Sequence, residues 1–235
     1  MCRFALCYSA VFILAGAAPA QSSLPLVEDV EIGPLRDQCK QLLKAMKGKL
    51  PTETEEKLNK LLRPDGKKED QASETIQKLL DPLCLIGVTI NAESRVKAAR
   101  GPRSAELTRG QETFVLVKVQ NDAGVTHALT VSGDQLRTTK QDGAGRWLEA
   151  TVHTAPPLRK TLSGHKLEYV VMKVKALEAG KREATLKFDA GQGTQDLGFR
   201  AEVPVLFKIR NPKSETGRSD FGFRISDFGF RILSD

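Results

Sequence analysis

The chain has 235 residues, with 36 lysines and arginines against 29 acidic residues and a formal charge of +7. The positives are spread along the sequence and only 6% of residues are aromatic, so the basic face with interleaved rings that nucleic-acid binding requires is missing. Beyond the N-terminus no run approaches the roughly 18 apolar residues of a membrane span, so no transmembrane segment is expected in the mature chain.

Residues 1–20, MCRFALCYSAVFILAGAAPA, place Arg3 ahead of an apolar run at 4–15 and end on Ala18, Pro19 and Ala20. This is the pattern of a secretory signal peptide cut after Ala20, and it predicts a secreted or periplasmic protein beginning at Gln21. Two cysteines then remain, Cys39 and Cys84. In an oxidising compartment they suggest one disulfide, closing a loop of about 45 residues, with two buried thiols as the alternative.

Residues 21–85 read as a helical hairpin or three-helix unit. Leu35, Cys39, Leu42, Met46 and Leu50 recur at steps of three and four, which puts them on one helix face before Pro51 interrupts. Thr52 and Glu55 have the spacing of a capping box for a second helix bearing Leu58, Leu61 and Leu62. Pro64, Asp65 and Gly66 mark a turn. Ser73 can cap a third helix with Ile76, Leu79 and Leu80 inward, stopped at Asp81 and Pro82.

From residue 86 the period changes. GVTIN, ETFVLVKVQN, HALTVS, RWLEATVH, KLEYVVMKVKA, EATLKFDA and AEVPVLFKI are strand-like runs divided by turn residues, and seven such runs predict an Ig-like antiparallel β-sandwich over 86–208. Within it Val170, Met172 and Val174 alternate against Lys173 and Lys175. The whole chain is therefore expected to be α+β, a helical unit followed by a sandwich.

Chemistry is harder to find. His127, His153 and His165 fall on or beside different runs, with no metal-ligand spacing among them. In FDAGQGTQDLGFR, 188–200, Asp189 and Asp196 flank two glycines, but Ala190, Gly191 and Gly193 offer no side-chain oxygen to a cation, so a plain strand connection is expected. Residues 91–102 read as a solvated crossover. Trp147 and Tyr169 are the aromatic candidates for stacking on a sugar. No catalytic, cofactor or metal residue is predicted, no cofactor is expected, and the chain is read as a non-enzyme.

In the last segment SDFGFRI stands twice, at 219–225 and 226–232. Residues 221–227, written in codons and read on the opposite strand, can give IRNPKSE, which is 209–215. Residues 209–235 are therefore read as a translated inverted repeat, a disordered tail without a folding role.

INAESRVKAARGP at 90–102, VKVQNDAGVT at 117–126, RWLEA at 146–150, LSGHKLEY at 162–169 and the stretch 179–207 resemble the N-terminal module of large secreted planctomycete-type proteins. In those proteins the module precedes a PHP-type metallohydrolase domain of the CehA/McbA class. The resemblance covers about 76–207. It implies an accessory role and transfers no catalytic residue, because the metal-binding segments of the hydrolase have no counterpart in this sequence. The functional expectation is a secreted accessory or binding module whose partner is a polysaccharide, an envelope component or a partner enzyme. A truncated fragment of a longer hydrolase-type protein and a hydrolase with an unrecognised site are the alternatives.

Overall fold

The computed structural model describes residues 23–63, 69–138, 143–191 and 200–212. The segment expected to be a signal peptide, most of the 188–200 connection and nearly all of the repeat tail lie outside those residues. Among the described residues three helices come first: α1 (Ile32–Ala45), α2 (Thr52–Leu61) and α3 (Glu69–Leu80), followed by a 3-10 turn at Asp81–Leu83. Nine strands follow among those residues: β1 (Cys84–Ile90), β2 (Val96–Arg100), β3 (Glu106–Thr108), β4 (Glu112–Asn121), β5 (Thr130–Ser132), β6 (Leu148–Val152), β7 (Leu167–Ala176), β8 (Gly180–Asp189) and β9 (Arg200–Arg210).

The strands form a five-stranded sheet, β2-β1-β4-β7-β6, and a four-stranded sheet, β3-β9-β8-β5. Both are mixed. β1 runs parallel to β4 and β3 runs parallel to β9, so the wholly antiparallel sandwich expected from the alternation is not what forms. Period-two patterning reports which face is buried and is blind to strand direction, which is why the difference could not be read ahead. The sheets face each other across a core that includes Ile86, Val88, Val117, Met172, Val174, Leu186, Phe188, Val205 and Phe207. The helices lie on the other face of the five-stranded sheet, where Leu35, Leu42, Leu58, Ile76 and Leu80 pack on Cys84, Leu116, Tyr169 and Val171. Each such fully buried side chain contributes about 1.5–3 kcal/mol.

This layering explains the uneven strand patterns. β7 buries Leu167, Tyr169 and Val171 under the helices and Met172, Val174 and Ala176 in the inter-sheet core. Beyond the helical cover the outer face becomes polar, and Lys173 pairs with Glu112 at 2.9 Å. β9 alternates strictly, Val203, Val205, Phe207 and Ile209 buried and the residues between exposed, because its outer face meets water along its whole length.

Several local expectations need correction. Cys39 and Cys84 are both buried and both free, so the disulfide is not formed. Each thiol has an apolar place instead, and Cys84 Sγ donates to the Leu80 carbonyl at 3.4 Å. The capping box at α2 is not closed either: Pro51 holds the N-cap position, and Glu55 Oε1 accepts from the Gly48 N–H at 3.0 Å. Ser73 lies inside α3 rather than at its start and is buried. The supposed crossover at 91–102 is a hairpin with β2, where Asn91 Oδ1 accepts from the Glu93 and Arg95 N–H groups. β9 continues to Arg210, two residues past the expected boundary at 208.

Gly101, just after β2, shows how closely this hairpin approaches the helical unit's exit. A Cβ there would lie 2.1 Å from the Cys84 carbonyl oxygen, a backbone atom that cannot swing aside. The Gly101 N–H meanwhile donates to Leu85 at 2.8 Å. Gly101→Ala is expected to lower the unfolding free energy by about 1–3 kcal/mol in urea melts, as overpacking of a fixed site does. A loss below ~0.5 kcal/mol would show that the hairpin relaxes freely.

Candidate functional site

Two polar constellations stand out, and both sit where the helices meet the five-stranded sheet. The first is closed to solvent. β4 carries Lys118 on its helix-facing side, in the middle of the apolar run VLVKVQ, and its Nζ has nowhere to go but the helical layer. There it donates to Asp81 Oδ2 at 2.8 Å, to Gln77 Oε1 at 2.9 Å and to the Pro25 carbonyl at 2.7 Å. Tyr169 Oη donates to the other Asp81 oxygen at 2.8 Å. Gln77 closes the ring by accepting from the Val27 N–H at 2.8 Å and donating to the Val27 carbonyl at 2.9 Å. Burial pushes the Asp81 carboxyl above its ordinary value, and the hydrogen bonds from Lys118 and Tyr169 oppose that. Burial beside Asp81 and the two thiols pushes Tyr169 well up. Every donor here has its acceptor, so the cluster joins the N-terminal segment, α3, β4 and β7 and leaves no group open to a ligand.

The second constellation is open. A groove of about 400 Å³ runs between α1 and the connection from β6 to β7. Gly33, Pro34, Asp37, Gln38 and Gln41 form one wall, and His153, Leu158, Arg159, Thr161, Ser163 and His165 the other. Its floor is β7 from Leu167 to Val171. Glu168 lies here but is not a free carboxylate: it accepts from the Ser163 N–H on both oxygens at 2.9 Å and from the Gly164 N–H at 3.2 Å, fixing the turn into β7. Burial raises its pKa, with those backbone donors working the other way.

The strand geometry at the floor is unusual. β6 pairs with β7 only over Met172–Ala176, and the last contact is His153 N–H to the Val171 carbonyl at 2.8 Å. Pro156 and Pro157 follow in the chain, and neither has an N–H to extend a ladder. From Leu167 to Val171, β7 is paired with β4 on one side and, among the described residues, with no strand on the other. On that open side the Tyr169 N–H is held by a side chain, Gln38 Oε1 of α1, at 2.9 Å.

Of the three histidines, His153 and His165 line this groove and His127 does not. His153 stacks edge-on against Phe114, centroids 5.2 Å apart, and Lys49 Nζ sits 3.4 Å from the centre of that phenyl ring. Burial, with Lys49 and Lys173 nearby, depresses the His153 pKa below its ordinary range. His165 Nδ1 is 3.8 Å from Glu31. Among the described residues no group of three potential metal ligands converges. Asp189 is committed to structure, bonding the Gly191 N–H and Arg200 Nε at 2.9 Å each; Asp196 lies outside the described residues.

The aromatic candidates for sugar stacking are both core residues. Trp147 is 4% exposed and packs edge-on against Phe207 at 5.9 Å, and Tyr169 is 2% exposed. The residues that shape the two constellations, Lys118, Asp81, Gln77, Gln38 and Glu168, had no motif to mark them. The one legible sign was a charge inside a short apolar run, Lys118 in VLVKV and Glu168 in LEYVVM.

No family model matches the chain, and no curated protein matches it. Among solved structures, one described as "Structure of PbICP-C in complex with falcipain-2" is similar over 46% of this chain and 86% of that one, at 9% identity and a TM-score of 0.28. A likeness of that size carries no inference about this chain. No helix among the described residues is long and apolar enough to cross a membrane.

Proposed function

We propose that the chain is an exported, non-catalytic binding module that takes its partner in the groove between α1 and the open side of β7. The groove itself carries the reading: it is concave and about 400 Å³, with amides, hydroxyls and one guanidinium on its walls and an apolar strand at its base. The signal-like segment at 1–20 and the resemblance to an accessory module support export and a supporting role. The buried ionisable groups argue in the same direction, since Asp81, Lys118 and Glu168 are all consumed in holding the fold.

The test is chemical-shift mapping on the exported chain with isotope-labelled backbone amides, titrated separately with neutral oligosaccharides, acidic oligosaccharides and unstructured peptides. At least one set is expected to move the amides of Gln38, Gln41, Thr161 and Ser163 together. Shifts confined to other surfaces with all three sets would remove the groove from consideration. Turnover of ester or phosphoester substrates with stoichiometric bound metal would overturn the non-catalytic reading.

A further inference from the structure

Resting on the groove reading, we infer that its occupant is an extended polypeptide segment of a partner protein, added as a strand to the open side of β7 and carrying an acidic residue opposite Arg159.

A β-strand in the middle of a sheet sends its backbone groups alternately to its two neighbours. Over Leu167–Gln120 to Val171–Leu116, β7 has its β4 neighbour in register, and no other strand among the described residues takes the opposite side, because β6 has already left. The alternation places the unpaired groups at 167, 169 and 171. Two of these have received substitutes. The Val171 carbonyl accepts from His153 N–H, the last bond of the departing strand, and the Tyr169 N–H is held by Gln38 Oε1. A side-chain amide oxygen has the same geometry and strength as a peptide carbonyl, so Gln38 stands where a neighbouring strand's carbonyl would be. It is a long, rotatable, half-buried side chain on the groove wall. An incoming peptide carbonyl can replace it at Tyr169 without breaking any backbone bond of the fold.

The groove fits a strand better than a compact ligand. Its floor is a strand edge over five residues, Leu167 to Val171, and its walls rise on either side as α1 and the 153–165 connection. Main-chain pairing along such an edge gives affinity, and the alternate side chains of the added strand give selectivity. Charge completes the argument. Asp37 on the α1 wall is already paired with Lys40 at 2.8 Å, while Arg159 on the opposite wall is exposed and makes no ion pair among the described residues. The wall therefore presents one uncompensated positive fork, which matches a carboxylate in bidentate geometry.

The experiment pans a random linear decapeptide library displayed on phage against the exported chain, then uses the enriched peptides as N-acetylated synthetic chains. Binding is expected to slow amide exchange at Leu167, Tyr169 and Val171 and to select Asp or Glu at one position. Single N-methylation along the peptide should weaken binding tenfold or more at every second residue and by less than about threefold at those between. Gln38→Ala should tighten binding severalfold by removing the competitor for the Tyr169 N–H, and Arg159→Ala should weaken peptides with the acidic residue but not those without it. If peptides bind in the groove with no two-residue period in the N-methyl scan, strand addition is wrong while the groove reading stands. If oligosaccharides and not peptides move the groove amides, the occupant is wrong and the groove reading stands. If nothing of either class moves them, both fall.

Discussion

Lys118→Met is expected to lower the unfolding free energy at neutral pH by about 3–5 kcal/mol, the usual cost of leaving one member of a buried ion pair without its partner. The side chains of Lys118 and Asp81 are 4% and 11% exposed, so water does little to soften the loss. Methionine fills most of the space but donates nothing. Asp81 Oδ2 and the Pro25 carbonyl are then left without the donor they now have, and Gln77 Oε1 keeps only the Val27 N–H. Lys118→Met combined with Asp81→Asn should recover at least about 1 kcal/mol, because a neutral amide can still accept from Tyr169 and needs no counter-charge. The pH dependence supplies a second readout. Asp81 already holds its proton more tightly in the fold than in the unfolded chain, and removing the lysine strengthens that hold. The deficit of Lys118→Met should therefore be full at pH 7 and shrink as the pH falls toward about 4 and the buried carboxylate takes up its proton. Urea melts of the three proteins at both pH values decide it. A single-variant loss under about 1 kcal/mol would mean that the cluster is not what binds the helices to the sheet.

The second large effect is alkaline. Burial pushes Cys39 up to about 12 from an ordinary 9.0, and pushes Cys84 and Tyr169 up as well. All three bind their protons more tightly in the fold than in the unfolded chain. The stability they contribute is complete below pH 9 and is lost as the pH rises toward their folded values. Each thiol removes about 1.4 kcal/mol per pH unit above 9, and the tyrosine adds a similar slope above 10. By pH 11 the two thiols together remove on the order of 5 kcal/mol and the tyrosine adds to the loss, which reaches the range of the whole stability of an ordinary domain. Cooperative unfolding near pH 11 is the expected result, followed by circular dichroism with thiolate absorbance appearing in the same transition. Cys39→Ala should flatten the slope by one thiol's share. Thiolate absorbance at pH 9–10 in a chain that stays folded would contradict the burial of both sulfurs.

Much of the fold could be read from residue order, and the reasons are specific. β4 coincides with ETFVLVKVQN and β7 with KLEYVVMKVKA to within a residue, because ten-residue strands covered on both faces leave long apolar runs. β2 was hidden: of VKAAR only Val96 is buried, so its hairpin with β1 left no periodic trace. β3, three residues long with Leu107 alone buried, was equally silent. The thiols were misread for a physical reason. Compartment and count favoured a bridge, but whether two sulfurs meet depends on helix packing that cysteine spacing does not encode. The groove was illegible for a similar reason. Gln38 and Tyr169 are 131 residues apart, and only the departure of β6 after Val152 makes their contact informative.

β9 is the last described strand, yet it lies between β3 and β8, paired with β8 along ten residues. The inward face of the four-stranded sheet thus has no centre until residues 200–210 are in place. The five-stranded sheet and its helices use only residues up to 176 and can assemble earlier. Val88, Val117 and Met172 would then stand on a finished sheet with their core face bare, waiting for the arrival of Val203, Val205 and Phe207. β9 meets β8 as its neighbour in sequence, but its pairing with β3 and its packing on the first sheet join distant parts of the chain and form slowly, and a half-covered apolar sheet is the species most exposed to association with other chains. The vulnerable interval in the life of this molecule is therefore the time between completing its first sheet and receiving β9.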